Sequence, residues 1–187
     1  RAWPMQPLSE SQQEFILHWG EMSSRWGINR SVAQIHALLY LSEEPLNAEQ
    51  IAERLSLARS NVSTSLRELQ AWGVVRAAHR IGDRRDYFEA VADAWEMFLT
   101  IFEQRKRREI DPTLGMLREC LDRHGASHRG DDFALERMQQ LLELLETLIA
   151  GYEQMKRLSP ATQRKVLRMG DRLGKIVGDT RTRGGRR

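Results

Sequence analysis

Between Leu46 and Ala90 the periodicity of the sequence changes once, at Gly73, and that change limits the folds open to the chain. Upstream, "LNAEQIAERLSLARSNVSTSLRELQAW" repeats its apolar residues at helical intervals: Ile51 and Leu55, then Val62, Leu66 and Leu69. Downstream, "VVRAAHRIGDRRDYFEAV" is β-branched and aromatic on both sides of Gly82-Asp83, the pattern of two short strands and a hairpin. Asn47 with Gln50 forms a capping-box pair, "SLAR" makes a turn, and Ser60 is expected to cap a second helix reaching Trp72. Helix, turn, helix and hairpin in that order predict a winged helix-turn-helix, with the hairpin as wing.

The remaining sequence is helical in period. Ser9 with Gln12 opens a first helix that sets Phe15, Trp19, Met22 and Trp26 at intervals of four, three and four. Ser31 with Gln34 is expected to cap a second helix. A further helix is expected from about Ala92 to Ile110, and Asp111-Pro112 reads as an N-cap with proline at the first helical position, hence a new start. Asp131 or Asp132 then opens a long helix to about Leu158, along which Leu141, Leu145, Leu148, Tyr152 and Met155 form a heptad-like seam. The expected fold is mainly α: a winged helix-turn-helix with a two-stranded wing, plus long N- and C-terminal dimerisation helices. Residues 1–28 are assigned to an N-terminal dimerisation helix, 29–91 to the winged domain, 92–158 to linker and dimerisation helices, and 159–187 to a basic amphipathic helix and a disordered basic tail. Phe15, Leu141, Leu145, Leu148 and Tyr152 are the candidate dimer contacts.

The second helix of the winged unit has the chemistry of a major-groove reader. Its core residues leave Asn61, Ser63, Thr64 and Arg67 exposed near its N-terminus, beside Ser60. Asparagine pairs with adenine, arginine with guanine, and hydroxyls meet bases or phosphates. An ordinary capped and solvated helix accounts for the same residues taken alone. The adjoining hairpin shifts the balance, because it presents Arg80, Arg84 and Arg85 where a wing reaches the neighbouring minor groove or backbone. Asp83 is placed to hold one of these arginines.

At these residues, "NAEQIAERLSLARSNVSTSLRELQAWGVV" and "GDRRDYFEA", the chain resembles the MarR-type winged helix-turn-helix regulators, most of all their GbsR-like branch. The resemblance covers about Trp19 to Leu121. It implies a homodimeric bacterial repressor on a palindromic double-stranded operator, with an affinity that changes with a small ligand. Some members of that branch are associated with choline and glycine-betaine metabolism. Trp19, Trp26, Tyr40 and Trp95 are therefore candidate walls of a cage for a small cationic effector such as choline, held by cation–π attraction of about 0.5–2 kcal/mol per contact. Hydrophobic packing between helices is the alternative use of the same aromatic rings.

Composition narrows the rest. Net charge is +3, but nine basic residues against two acids from Pro160 onward give that tail +7 and leave −4 for the body. Basicity therefore does not by itself assign nucleic-acid binding, and the alternative reading is a winged-helix assembly module whose basic tail binds nucleic acid nonspecifically. A single cysteine, Cys120, cannot form an intrachain disulfide and fits a cytoplasmic location. No apolar run reaches the roughly 18 residues of a membrane span. No nucleophile–base constellation, phosphate loop or HExxH argues for an enzyme, and no cofactor is expected. Cys120, His124, His128 and Asp131 are spaced for a metal only on an unbroken helix, which Gly125 interrupts, so no metal site is assigned. The run Arg105-Lys106-Arg107-Arg108 circles a helix and reads as solvated surface.

Overall fold

The computed structural model describes residues 7–124 and 132–169. By packing, the chain divides into two compact units, Arg1–Arg105 and Lys106–Arg187.

The first unit holds α1 (Glu10–Arg25), α2 (Arg30–Tyr40), β1 (Leu46–Asn47), α3 (Ala48–Leu55), α4 (Arg59–Trp72), β2 (Val75–Ala78), β3 (Tyr87–Ala90) and α5 (Ala94–Arg105). Its core is built from Ile35, Leu38, Ile51, Val62, Leu66, Leu69 and Val74, each almost fully buried. α1 buries Ile16 in this core and lays Phe15 and Trp19 against it, so Phe15 is a packing residue of its own chain.

Local chemistry fixes the helix ends. Ser9 and Gln12 close a capping box on α1, and Asn47 and Gln50 close another on α3. α3 stops at Ser56, whose left-handed backbone (φ 52°) lets the Leu57 N–H reach the Ala52 carbonyl at 2.9 Å. Gly73, at φ 78°, ends α4 in the same way. Two expected caps fall elsewhere. Asn29, not Ser31, caps α2 by accepting from the Ser31 N–H at 2.8 Å. α4 begins at Arg59 after Ala58, which makes no side-chain capping bond, so Ser60 already lies inside the helix.

The wing is a three-stranded sheet, ordered β1-β3-β2, rather than the expected two-stranded hairpin. β2 and β3 pair antiparallel from Val75↔Ala90 to Ala78↔Tyr87, and β1 adds Leu46↔Phe88 and Asn47↔Tyr87. Two residues are too short a strand to show an alternating pattern.

In the second unit a π-helical turn, Lys106–Ile110, leads into α6 (Asp111–His124), followed by α7 (Asp132–Lys156); residues 160–169 are also helical. The expected break at Asp111-Pro112 is absent. A proline ring clashes with the carbonyl four residues back, and the wider π turn gives that carbonyl room. The Thr113 hydroxyl donates to the Glu109 carbonyl at 2.6 Å.

Leu114, Leu117 and Leu142 form this unit's core, with Met138, Leu145 and Ile149 packed on it. The expected seam therefore splits. Leu145 turns toward α6, whereas Leu141 and Leu148 stay exposed beside Leu144, at 44%, 59% and 55%. Tyr152 is half-buried. Asp131, His128 and the tail beyond Met169 lie outside the described residues.

Candidate nucleic-acid interface

Burying Val62, Leu66 and Leu69 turns the opposite face of α4 to solvent, and that face carries Ser60, Ser63, Thr64 and Arg67. Intervals of three and four place them on one stripe, which exposed Gln70 extends. Arg67 lies along the stripe, its Nε 3.4 Å from the Ser63 carbonyl and its Nη2 3.4 Å from Thr64 Oγ1. Contacts this long leave it ready to move to a better acceptor.

Asn61 departs from the expected role. Its Nδ2 donates to Ser31 Oγ at 3.0 Å and its Oδ1 accepts from Ser65 Oγ at 3.3 Å, so it is half-buried and ties α4 to α2. The side chain is spent on the helix pair and is turned away from the exposed stripe.

The wing faces that stripe across an open cleft of about 640 Å³. Ser63, Arg67 and Gln70 line its helix side; Arg84, Arg85 and Asp86 line its wing side. At the crest the Asp83 N–H donates to the Arg80 carbonyl at 3.2 Å, closing a turn with Gly82 at φ 83° in its third position. That conformation suits glycine.

Below the crest lies a compact polar lock. Asp83 accepts from Arg85 Nε at 3.0 Å, from Arg85 Nη2 at 2.6 Å, from the Arg85 backbone N–H at 3.0 Å and from the Tyr87 hydroxyl at 2.8 Å. The Arg85 guanidinium, then its N–H, then Tyr87 hold the Asp83 carboxyl well below the usual carboxylate range. Asp83 in turn raises the pKa of Arg85.

The three wing arginines thus have three different situations. Arg84 is exposed and makes no ion pair or hydrogen bond among the described residues. Arg85 is neutralised by Asp83. Arg80 braces the wing: it bonds Glu44 at 3.0 Å and stacks over the Tyr87 ring at 4.5 Å. Its expected place at the DNA is taken up by that bracing.

Sequence reasoning missed Gln70, which the i, i+4, i+7 continuation from Ser63 and Arg67 points to directly. It also missed Arg59, which lines the cleft but pairs with Glu49 at 2.9 Å.

A second concavity, about 390 Å³, lies inside the first unit among α1, α2, α4 and α5. Trp19 and Trp26 line it, as expected, together with Trp72, Phe98 and Phe102. Tyr40 instead lines a smaller neighbouring cavity of about 230 Å³ with Phe15 and His36. Trp95 lies outside both, 6.1 Å from the Phe98 ring, and Trp72 takes the place assigned to it. No carboxylate lines the larger cavity, and its charged residue is Arg105. The Arg105 guanidinium sits 4.9 Å from the Trp26 ring centre and donates to the Trp26 carbonyl at 2.7 Å. His36 borders both cavities with its Nε2 unpartnered, and burial lowers its pKa to about 4.

An exposed polar stripe on the second helix of a helix-turn-helix, facing a braced basic hairpin, defines a winged-helix DNA-binding domain. Residues 26–86 match the model of the MarR family, and the chain is a DNA-binding transcriptional regulator whose winged helix-turn-helix is similar to that family's. It is 26% identical over 146 residues to the HTH-type transcriptional repressor GbsR of Bacillus subtilis (strain 168), covering 76% of this chain and 81% of that one. The putative HTH-type transcriptional regulator YvaV of the same strain is 20% identical over 145 residues, covering 78% and 81%. The crystal structure of a transcriptional regulator shares the fold, with a TM-score of 0.54 at 21% identity over 77% of this chain and 99% of that chain. Both relatives named here are regulators, not enzymes. Among the described residues no helix is long and apolar enough to cross a membrane, and no cluster of three or more His, Cys, Asp or Glu is placed to hold a metal.

Proposed function

We propose that the chain is a cytoplasmic repressor that binds a palindromic operator as a homodimer. In this reading Ser63, Arg67 and Gln70 of each α4 enter the major groove. Arg84 reaches the backbone beside the adjacent minor groove. The observation that carries it is the cleft in which the exposed stripe of α4 and the unpaired Arg84 face the same space. Base contacts specify and phosphate contacts position, and the two walls of the cleft supply one of each. The test is selection from a random duplex pool with the full chain. Recovery of an inverted repeat with half-sites about one helical turn apart is the expected result; recovery of unrelated sequences removes the reading.

The effector is proposed to be a small cation, choline the simplest example, held in the cavity of Trp19, Trp26 and Trp72. Aromatic faces attract a quaternary ammonium without a carboxylate. Arg105 already covers one face of Trp26, so a cation stacking on that face would displace it. Choline titrated into an operator-binding assay, with tryptophan emission followed in parallel, is expected to change both signals. No change in either at millimolar concentration removes choline as effector.

A further inference from the structure

We propose that Ile81, at the crest of the wing, is an apolar DNA contact that enters the minor groove and packs against its deoxyribose walls. The inference rests on the reading that the α4–wing cleft faces the duplex.

Ile81 is fully exposed, at 108%, which no other large apolar residue of the described chain matches. An isolated exposed isoleucine on a pliant loop carries no information, because single apolar side chains on a surface are ordinary. This loop is held at both shoulders. Arg80 is fixed by Glu44 and the Tyr87 ring, and Asp83 by Arg85 and the Tyr87 hydroxyl. The Asp83–Arg80 backbone bond closes the turn between them. Beside Ile81, even a Cβ added to Gly82 would meet nothing within 4 Å. The shoulders are anchored and the crest stands clear of the body, so Ile81 is presented rather than collapsed.

The flanking charge selects the partner. An apolar protein surface or a lipid tail region would have to accommodate the unpaired Arg84 near the isoleucine. A polyanion with apolar inner walls accommodates both. The minor groove is about 6 Å wide, its rims are phosphates and its walls are sugars, and aliphatic side chains are known occupants of such grooves. Burying an isoleucine side chain there is favourable in proportion to the apolar area removed from water. It releases no counterions, whereas an arginine–phosphate contact does.

That difference supplies the test. A duplex of thirty base pairs, selected from a random pool by the full wild-type chain, is titrated at several KCl concentrations with wild type, Ile81→Ala, Ile81→Leu and Arg84→Ala. Thermal melting verifies that each variant is folded. Ile81→Ala is expected to bind about tenfold more weakly with the wild-type salt slope, and Ile81→Leu to bind within about twofold of wild type. Arg84→Ala is expected to lower the slope by about 0.9. Hydroxyl-radical footprinting, which samples minor-groove sugar hydrogens, is expected to lose protection beneath the wing in Ile81→Ala alone among the isoleucine variants. Unchanged affinity of Ile81→Ala, a slope that falls as for Arg84→Ala, or retained sugar protection each overturns the proposal. So does a change in the sedimenting mass of the free Ile81→Ala chain, which would make Ile81 a subunit contact. A wild-type chain that selects no duplex overturns the operator reading and this one together; a wild type that binds no better than Ile81→Ala overturns this one alone.

Discussion

His36 borders both aromatic cavities, and its burial sets a pH window for the fold. With the folded-state pKa near 4 and the ordinary value at 6.5, the unfolded chain takes up a proton before the folded chain does. The contribution of this group to stability is full above pH 6.5 and declines as pH falls toward 4, by about 3 kcal/mol at most. His36→Phe is therefore expected to flatten the fall in melting temperature between pH 6.5 and 4; an equally steep fall would assign the pH dependence to other groups. Arg67 and Asn61 separate in a different measurement. Arg67→Ala is expected to weaken operator binding by about 1–3 kcal/mol and random-duplex binding little, since the contact proposed for it is with a base. Asn61→Ala breaks the link to Ser31 and is expected to lower stability by about 1 kcal/mol, with equal small losses on both duplexes. A selective loss on the operator in Asn61→Ala would return that residue to the reading face.

At the scale of the element, the wing is a lever braced on the body rather than a free ribbon, and its charges do not count equally. Asp83 already neutralises Arg85, so removing both Arg84 and Arg85 is expected to lower the log–log salt slope by about 0.9, the share of one phosphate contact. A fall near twice that would mean that Arg85 leaves Asp83 on binding. Asp83→Ala strips Tyr87 and Arg85 of their common acceptor and is expected to weaken binding to every duplex while raising the salt slope, because a cation is freed. Much of this element was legible in advance. Gly82 marks its turn, and Asp83 was placed to hold an arginine because the two are neighbours in sequence. Which arginine, and that Arg80 is drawn off to Glu44, was not legible, because 36 positions separate that pair. The third strand escaped notice for lack of length, and the π turn because the local signal of Asp111-Pro112 for a helix start is strong when the preceding backbone is unseen. Apolar period located the helices well; side-chain partners across elements, as for Asn61 and Ser31, are set by tertiary approach and leave no mark in period.

At the scale of the whole molecule, the proposed palindromic site needs two α4 helices, and α7 leaves an apolar stripe in water on which a second copy is proposed to pack. Leu141, Leu144 and Leu148 recur along α7 at three- and four-residue spacing with about half of each side chain in water, while Leu142, Leu145 and Ile149 serve the unit's own cluster with α6. The heptad seam read from sequence merged these two faces, since residues 141, 145 and 148 lie within a sector of about 60° around the helix axis, and period alone does not tell which side a neighbouring helix covers. The two faces predict opposite outcomes for the same chemistry. Leu148→Asp places its carboxylate in water in the free chain and in an apolar interface in the dimer, so it is expected to shift the dimer toward folded monomer and to abolish operator binding with it. Leu145→Asp forces a carboxylate against Leu114 and Leu117 instead, at a cost of several kcal/mol to the second unit itself, and is expected to lower the melting temperature whether or not the chain dimerises. Sedimentation and thermal melting of the two variants side by side decide it. A dimeric Leu148→Asp chain that still binds the operator would move the subunit contact off this stripe, and a monomeric, normally melting Leu145→Asp chain would restore the single seam.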